Sequence, residues 1–308
     1  MDDSRRHMGA PYEEAFKKDA AGIKAPVNNA PEVEGRKNMV IFEARGVGYR
    51  YDDDEALSNV SLNVHAGERL ALLGANGSGK STLLKMLDGL IFPTEGSIHA
   101  FGEELSEAAL RDDGFSRAFR QRVGFVFQNS DTQLFSPSVR EEIAFGPLHL
   151  GISLEAADER VEDTIHILGL QHLSDRPPYH LSGGEKKKVA LASVLAVGPD
   201  VLLFDEPTAG LDPKTETFLA RLIVQLAAAG KTIITATQDL RLVAEIAERV
   251  IILGEDHKLA GEGTPSEILG NRELLLAANL IHDHPHRHNG IEHFHPHSHL
   301  KDHHRDEE

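Results

Sequence analysis

The stretch ERLALLGANGSGKSTLLKMLDGL, Glu68 to Leu90, constrains this chain more than any other. Arg69–Leu73 reads as a buried strand, and Leu83, Leu84, Met86 and Leu87 recur at helical spacing. Between them stands Gly74-x-x-x-x-Gly79-Lys80-Ser81, so the order is strand, glycine loop, helix, the context in which such a loop holds phosphates. Gly74, Gly77 and Gly79 let backbone N–H groups curl around an anion with no Cβ in the way. The helix that begins there aims the positive end of its dipole at the same anion. Lys80 can reach β- and γ-phosphates, and the Ser81 hydroxyl can ligand Mg²⁺. Asn76, Ser78 and Thr82 complete the binding stretch. Such an element predicts a nucleoside triphosphate site at the carboxyl ends of a mainly parallel sheet.

PDVLLFDEPTAGLDP, Pro199 to Pro213, supplies the other half. Val201–Phe204 is apolar throughout, as in a parallel strand covered on both faces. It runs into Asp205, placed to hold Mg²⁺ through water, and Glu206, placed to polarise an attacking water. An acidic helix cap would explain Asp205 alone. Two adjacent carboxylates in a chain that already has a phosphate loop point to hydrolysis as well as binding.

Composition removes other classes. At 308 residues the chain can bury one large core, or a core plus a subdomain. A formal charge of −17 argues against a nucleic-acid partner, whose binding needs Lys and Arg to neutralise phosphates. It argues equally against an anionic membrane surface as the main partner. There is no cysteine, hence no disulfide and no thiolate metal site. No run approaches the ~18 apolar residues of a membrane span, and the first residues lack the apolar core of a signal peptide. The expectation is a soluble, cytoplasmic chain. Residues 1–38 are polar and turn-prone, and two accounts stay open for them: an expression remnant before a natural start at Met39, or a native disordered arm.

HLSGGEKKKVALASVLA lies between the two halves. By itself it is a good helix start, with Ser182 as cap and Glu185 three residues on. The combination GANGSGKST, LSGGE, LLFDEPTAGLD, in that order, resembles the ATP-binding cassette ATPases over about Phe42 to Gly270. The fold this implies is α/β: a RecA-like, mainly parallel sheet, a small antiparallel β region around Phe42–Val64, and a helical subdomain. The expected division is a leader over 1–38, an ATPase domain over 39–278 with its helical subdomain at roughly 103–178, and a His-rich tail over 279–308. RLALL, VGFVF, DVLLF, TIITAT and RVIIL are the expected strands.

The resemblance implies more. Two cassettes would pair head to tail as a homodimer, with each ATP between one subunit's phosphate loop and the other's Ser182, Gly183 and Gly184, another helix N-terminus aimed at an anion. Gln128 matches the glutamine that touches Mg²⁺ and water and feels the membrane partner. Asp212 sits in the loop that crosses the dimer interface. Tyr51 fits the aromatic that stacks on adenine, worth ~1–3 kcal/mol by analogy with base stacking; Tyr49 competes for the role. One departure stands out. In KTIITATQDL the position where this family usually has a histidine is Gln238. Glutamine can donate a hydrogen bond but carries no charge and shuttles no proton. Three readings stay open: turnover intact, turnover slowed, or turnover blocked by an engineered substitution; with Glu206 retained, slow hydrolysis is expected.

VFQNSDTQLFSPSVREEIAFGPLHLGI reads as a strand, a polar loop, and a helix capped around Ser136–Ser138 with Glu141 and Glu142 in its first turn. It is similar to the cassettes of energy-coupling-factor importers of vitamins or transition-metal ions, whose partners are transmembrane coupling and substrate-binding subunits and whose cassettes lie against the inner side of the membrane. Past about Leu280 histidines alternate: His282, His284, His286, His288, then His293, His295, His297, His299, then His303 and His304. Alternation puts imidazoles on one side of an extended chain, and neutral imidazole suits Ni²⁺, Co²⁺, Zn²⁺ and Cu²⁺. A solvated polar tail is the competing account. With the tail, the resemblance is greatest to cobalt or nickel uptake ATPases, the CbiO or NikO type. Two rivals remain: a vitamin importer's cassette, and a hydrolysis-impaired, metal-buffering nucleotide binder.

Overall fold

A computed structural model describes residues 39–288 and 291–298, with side chains over 39–282. The expected leader, residues 1–38, lies outside the described residues, as do His299, His303 and His304.

The chain opens with a hairpin, Val40–Tyr51 (β1) and Asp54–His65 (β2), followed by Arg69–Leu73 (β3), the helix Lys80–Leu87 (α1), Glu95–Ala100 (β4) and Glu103–Glu104 (β5). The helices Glu107–Leu110 (α2) and Asp113–Arg122 (α3) lead into Val123–Val126 (β6). Next come Val139–His149 (α4), Leu154–Leu168 (α5), Gly183–Leu195 (α6), Val201–Asp205 (β7), Pro213–Ala228 (α7) and Thr232–Thr237 (β8). Leu240–Ile246 (α8), Arg249–Leu253 (β9), Leu259–Gly263 (β10), Pro265–Gly270 (α9) and Arg272–Ala277 (α10) complete the ATPase fold, and Ile281–His288 (β11) and Ile291–Ser298 (β12) follow.

Two sheets organise the core. One is antiparallel, in the order β2-β1-β4-β5. The other runs β10-β9-β3-β8-β7-β6, parallel from β9 through β6 with β10 antiparallel at its edge. The central strands are apolar because both faces are covered, and their side chains alternate between two cores. Leu70, Leu72, Val201, Leu203, Ile251 and Leu253 face a cluster shared with α1 and the antiparallel sheet. Leu202, Phe204 and Ile233 face a second cluster with α4 to α7, and Ala71, Leu73, Val250 and Ile252 a third with α8 to α10.

The expected fold class is the observed one, with two differences of boundary. The stretch 103–178 holds strands besides its helices: β5 pairs with β4, and β6, the strand expected at VGFVF, pairs with β7 in the main sheet. Val-Gly-Phe-Val is a short apolar run, and its side chains Val123, Phe125 and Val126 are buried in the sheet rather than on a helix face. At the other end, Ala278, Leu280 and Ile281 belong to the third cluster, so the packed core runs past residue 278. The His-rich segment is extended, as its alternation suggests, and folds back on itself as β11 against β12. No helix among the described residues is long and apolar enough to cross a membrane.

Candidate active site

Strand β3 delivers the glycine loop at its carboxyl end, where two glycines are required. A Cβ at Gly79, whose φ is +102°, would lie 2.2 Å from the Ala56 carbonyl oxygen. One at Gly74 would lie 2.5 Å from Ser78 Oγ and 2.7 Å from the Leu253 carbonyl oxygen. The loop is therefore wedged against its surroundings, while Asn76 and Gly77 at its tip are exposed. Gly79 caps α1 without a side-chain hydrogen bond, which leaves the N-terminal N–H groups of that helix to a ligand.

Lys80 is 5% exposed. Its Nζ donates to the carbonyls of Gly74 (2.8 Å) and Ala75 (3.0 Å) and stands 3.5 Å from Glu206 Oε1. Burial pushes its ammonium pKa down, opposed by the Glu206 and Asp205 carboxylates. Ser81 Oγ donates to Asp205 Oδ1 at 2.7 Å. Thr82 reaches Tyr51 Oη at 3.5 Å. Tyr51 is 45% exposed, and Tyr49 stacks edge-on beneath it at 4.8 Å with its own ring packed against the first core cluster. Of the two tyrosines, Tyr51 is the one with a free face.

Glu206 has left-handed backbone, φ +41°, a costly conformation for a non-glycine residue. It is held there because its N–H donates to the Ala236 carbonyl at 2.9 Å. Its Oε2 accepts from Thr237 Oγ1 at 3.2 Å, and the Gln238 backbone N–H donates to the same carboxylate. Burial pushes the Glu206 pKa up, opposed by Lys80 and these donors. Oε1 is buried and faces the Lys80 ammonium at 3.5 Å, with no hydrogen bond among the described residues. Hydroxyl and carboxylate oxygens meeting at Ser81 and Asp205 are the hard donors that Mg²⁺ prefers. The residues present thus fit Mg²⁺ with ATP.

Gln128 and Gln238 are exposed at this end of the sheet. The Gln128 loop is fastened from below by Lys187, whose Nζ donates to the carbonyls of Phe127 (2.8 Å) and Gln128 (3.2 Å). Burial pushes the Lys187 pKa down to about 8, against the pull of Asp205. Gln133 adds a second tie, donating to the Ala190 carbonyl at 2.9 Å. Neither residue was singled out in the sequence. Lys187 was hidden in a run of three lysines, although it falls four residues before Leu191 on the apolar face of α6.

Ser182, Gly183 and Gly184 are elsewhere. Ser182 caps α6 in a full capping box: it accepts from the Glu185 N–H, and Glu185 Oε2 accepts from the Ser182 N–H at 2.8 Å. The Ser182 hydroxyl, donating to Glu185, holds that carboxyl below its usual range. Asp212 caps α7, accepting from the N–H groups of Lys214 and Thr215 and from Thr215 Oγ1 at 2.7 Å. These residues line one open cavity of about 350 Å³, with no phosphate-loop residue among them. The expected residues thus fall into two separate groups: Lys80, Ser81, Asp205 and Glu206 in one, Ser182 to Gly184 and Asp212 in the other.

A phosphate loop wedged at a strand end, paired with a strand-end Asp-Glu and a separate serine-glycine helix start, is the arrangement of cassette ATPases, and the pattern of the ABC transporter family matches residues 57–209. The chain belongs to the ATP-binding subunits of ABC transporters, a family of ATP hydrolases. It is 51% identical to the nickel import ATP-binding protein NikO of Rhodobacter capsulatus over 243 residues, 78% of this chain and 95% of that one. It is 42% identical to the energy-coupling factor transporter ATP-binding protein EcfA of Methanothermobacter thermautotrophicus over 241 residues, 78% of this chain and 76% of that one. Among solved structures it superposes on CbiO1 of Clostridium perfringens, described as part of the complex CbiONQ, with TM-score 0.67, 34% identity, and 79% and 96% of the two chains covered. A dimeric post-hydrolysis cassette, MJ0796 with ADP and Pi, matches at TM-score 0.65 and 30% identity, covering 73% and 99%.

Proposed function

We propose that this subunit energises uptake of a transition-metal ion, cobalt or nickel, as a peripheral component on the inner face of the membrane beside transmembrane coupling and substrate-binding subunits. What carries this reading is the similarity to NikO, about half of all positions over nearly its whole length. The structural likeness to CbiO1 supports it. Two copies pair head to tail, so that the Lys80 half-site of each meets the Ser182 half-site of the other. ATP phosphates lie against the glycine loop and Lys80, and Tyr51 stacks on the base. Ser81 and Asp205, with Gln128 beside them, would hold Mg²⁺, which would supply neutralisation of the phosphate charge. Glu206 accepts a hydrogen bond from the attacking water and draws its proton, helped by the burial that raises its basicity. Gln238 donates from its amide where a histidine would add charge.

Two measurements test this. ATP hydrolysis by the purified chain with Mg²⁺ is expected to rise more than linearly with protein concentration and to vanish in Glu206→Gln; ATP binding without turnover would favour the hydrolysis-impaired reading. Uptake of radioactive nickel and cobalt by cells expressing the chain with its membrane partners is expected to require Glu206. Vitamin uptake instead would favour the EcfA-like alternative.

A further inference from the structure

The C-terminal hairpin brings histidines together in a way the linear sequence does not. Its register sets His282 opposite His297, His284 opposite His295, and His286 opposite His293. Residues directly opposite in an antiparallel pair share a face, and so do residues two apart on one strand. Six histidine positions therefore occupy one face in three successive rungs. The other face takes Ile281, Asp283, Pro285 and Arg287, paired with Ser298, Pro296, Phe294 and Glu292.

The two prolines check this register independently. Proline has no N–H, so in a two-stranded ladder it fits only where that group would point away from the partner. Pro285 and Pro296 both fall in the set that excludes the histidines. The histidine rungs are then the pairs that exchange both backbone hydrogen bonds, with Cα atoms about 5.5 Å apart. Successive rungs repeat at about 7 Å, two residues of strand rise. Two neighbouring rungs thus bring four histidine positions together on one face. Imidazoles without thiolate suit divalent nickel, cobalt, copper and zinc over Mg²⁺.

We propose that this face of the hairpin, with histidine positions in three successive rungs, is a binding site for a divalent transition-metal ion. The middle rung, His284 with His295, adjoins both of the others and is the centre of the site. The site stands on register and ligand chemistry; its use in gathering cargo rests on the importer reading above.

Calorimetric titration of the full chain with Ni²⁺, in excess Mg²⁺ and without nucleotide, tests the site. His284→Ala or His295→Ala is expected to weaken the tightest Ni²⁺ by about tenfold or more, no less than loss of an outer-shell partner would. The double variant should be no weaker than either single one, since either change breaks the same rung. His303→Ala with His304→Ala should change binding less than about twofold, under ~0.4 kcal/mol. Equal small losses at every histidine, or tight Ni²⁺ surviving the double variant, would overturn the proposal. Failure of the importer reading would appear differently, as tight Ni²⁺ binding in a chain that supports no nickel uptake.

Discussion

Gln238 follows directly on β8, beside a strained base. Its backbone N–H already serves the Glu206 carboxylate, while its exposed side chain is free to face a bound phosphate. A charged donor there is worth about 1 kcal/mol more than a neutral one, so Gln238→His is expected to raise turnover about fivefold, read as kcat in steady-state hydrolysis. An unchanged kcat would mean that this position does not touch the reacting phosphate. Asp88, the C-cap of α1, makes a different prediction. Burial lifts its pKa to about 7, against the pull of Arg120 at 3.1 Å. The folded chain then holds a proton that the unfolded chain has released by pH ~4, so stability is greatest at low pH and falls as pH rises toward 7. Asp88→Asn is expected to flatten that slope in urea titrations between pH 5 and 8, and an unaltered slope would assign it elsewhere. At this scale Lys80, Ser81, Asp205 and Glu206 were legible because their chemistry lies in fixed spacing. Asp88 and Lys187 were not, since a charged residue gives no sign in the sequence that its neighbours will bury it.

Helices and strands were easier to read than their limits. The cap at Ser182 with Glu185 is as expected, because a capping box is written in four consecutive residues. Ser138 caps α4 likewise, accepting from the Glu141 N–H. Glu142, expected as an ordinary first-turn acid, turns inward instead and accepts from the N–H groups of Phe135 and Ser136, where it is 2% exposed. The hairpin at the end was missed although Asn289-Gly290, a pair that favours two-residue turns, stands between the histidine runs. The element that couples the halves of this domain is α6, which begins at the Ser182 half-site and ties down the Gln128 loop through Lys187. Lys187→Ala leaves two carbonyls without that donor and is expected to cost ~1–3 kcal/mol in chemical denaturation. ATP affinity should change little, because Lys187 touches no phosphate-loop residue. A stability loss below about 0.5 kcal/mol would show that the tie is dispensable.

Across the whole molecule, the separation of half-sites gives the head-to-tail pairing a test by mixing. A Lys80→Ala subunit and a Ser182→Ala subunit are each expected to be inactive alone. Mixed, their heterodimers contain one site with both Lys80 and Ser182 intact, and hydrolysis should return to about a quarter of the unmutated rate, half the dimers having half their sites. Lys80→Ala mixed with Glu206→Gln should stay silent, since Lys80 and Glu206 stand 3.5 Å apart in the same half-site. Recovery in both mixtures, or in neither, would refute that pairing.

Leu280 and Ile281 share a cluster with Ala71 and Leu73, the residues that lead into the phosphate loop. The first residues of the histidine hairpin are thus also a plug in the ATPase core. A chain trimmed just before Leu280 would lose that plug and uncover oily surface beside its catalytic strand, inviting self-association that could pass for a defect in nucleotide binding.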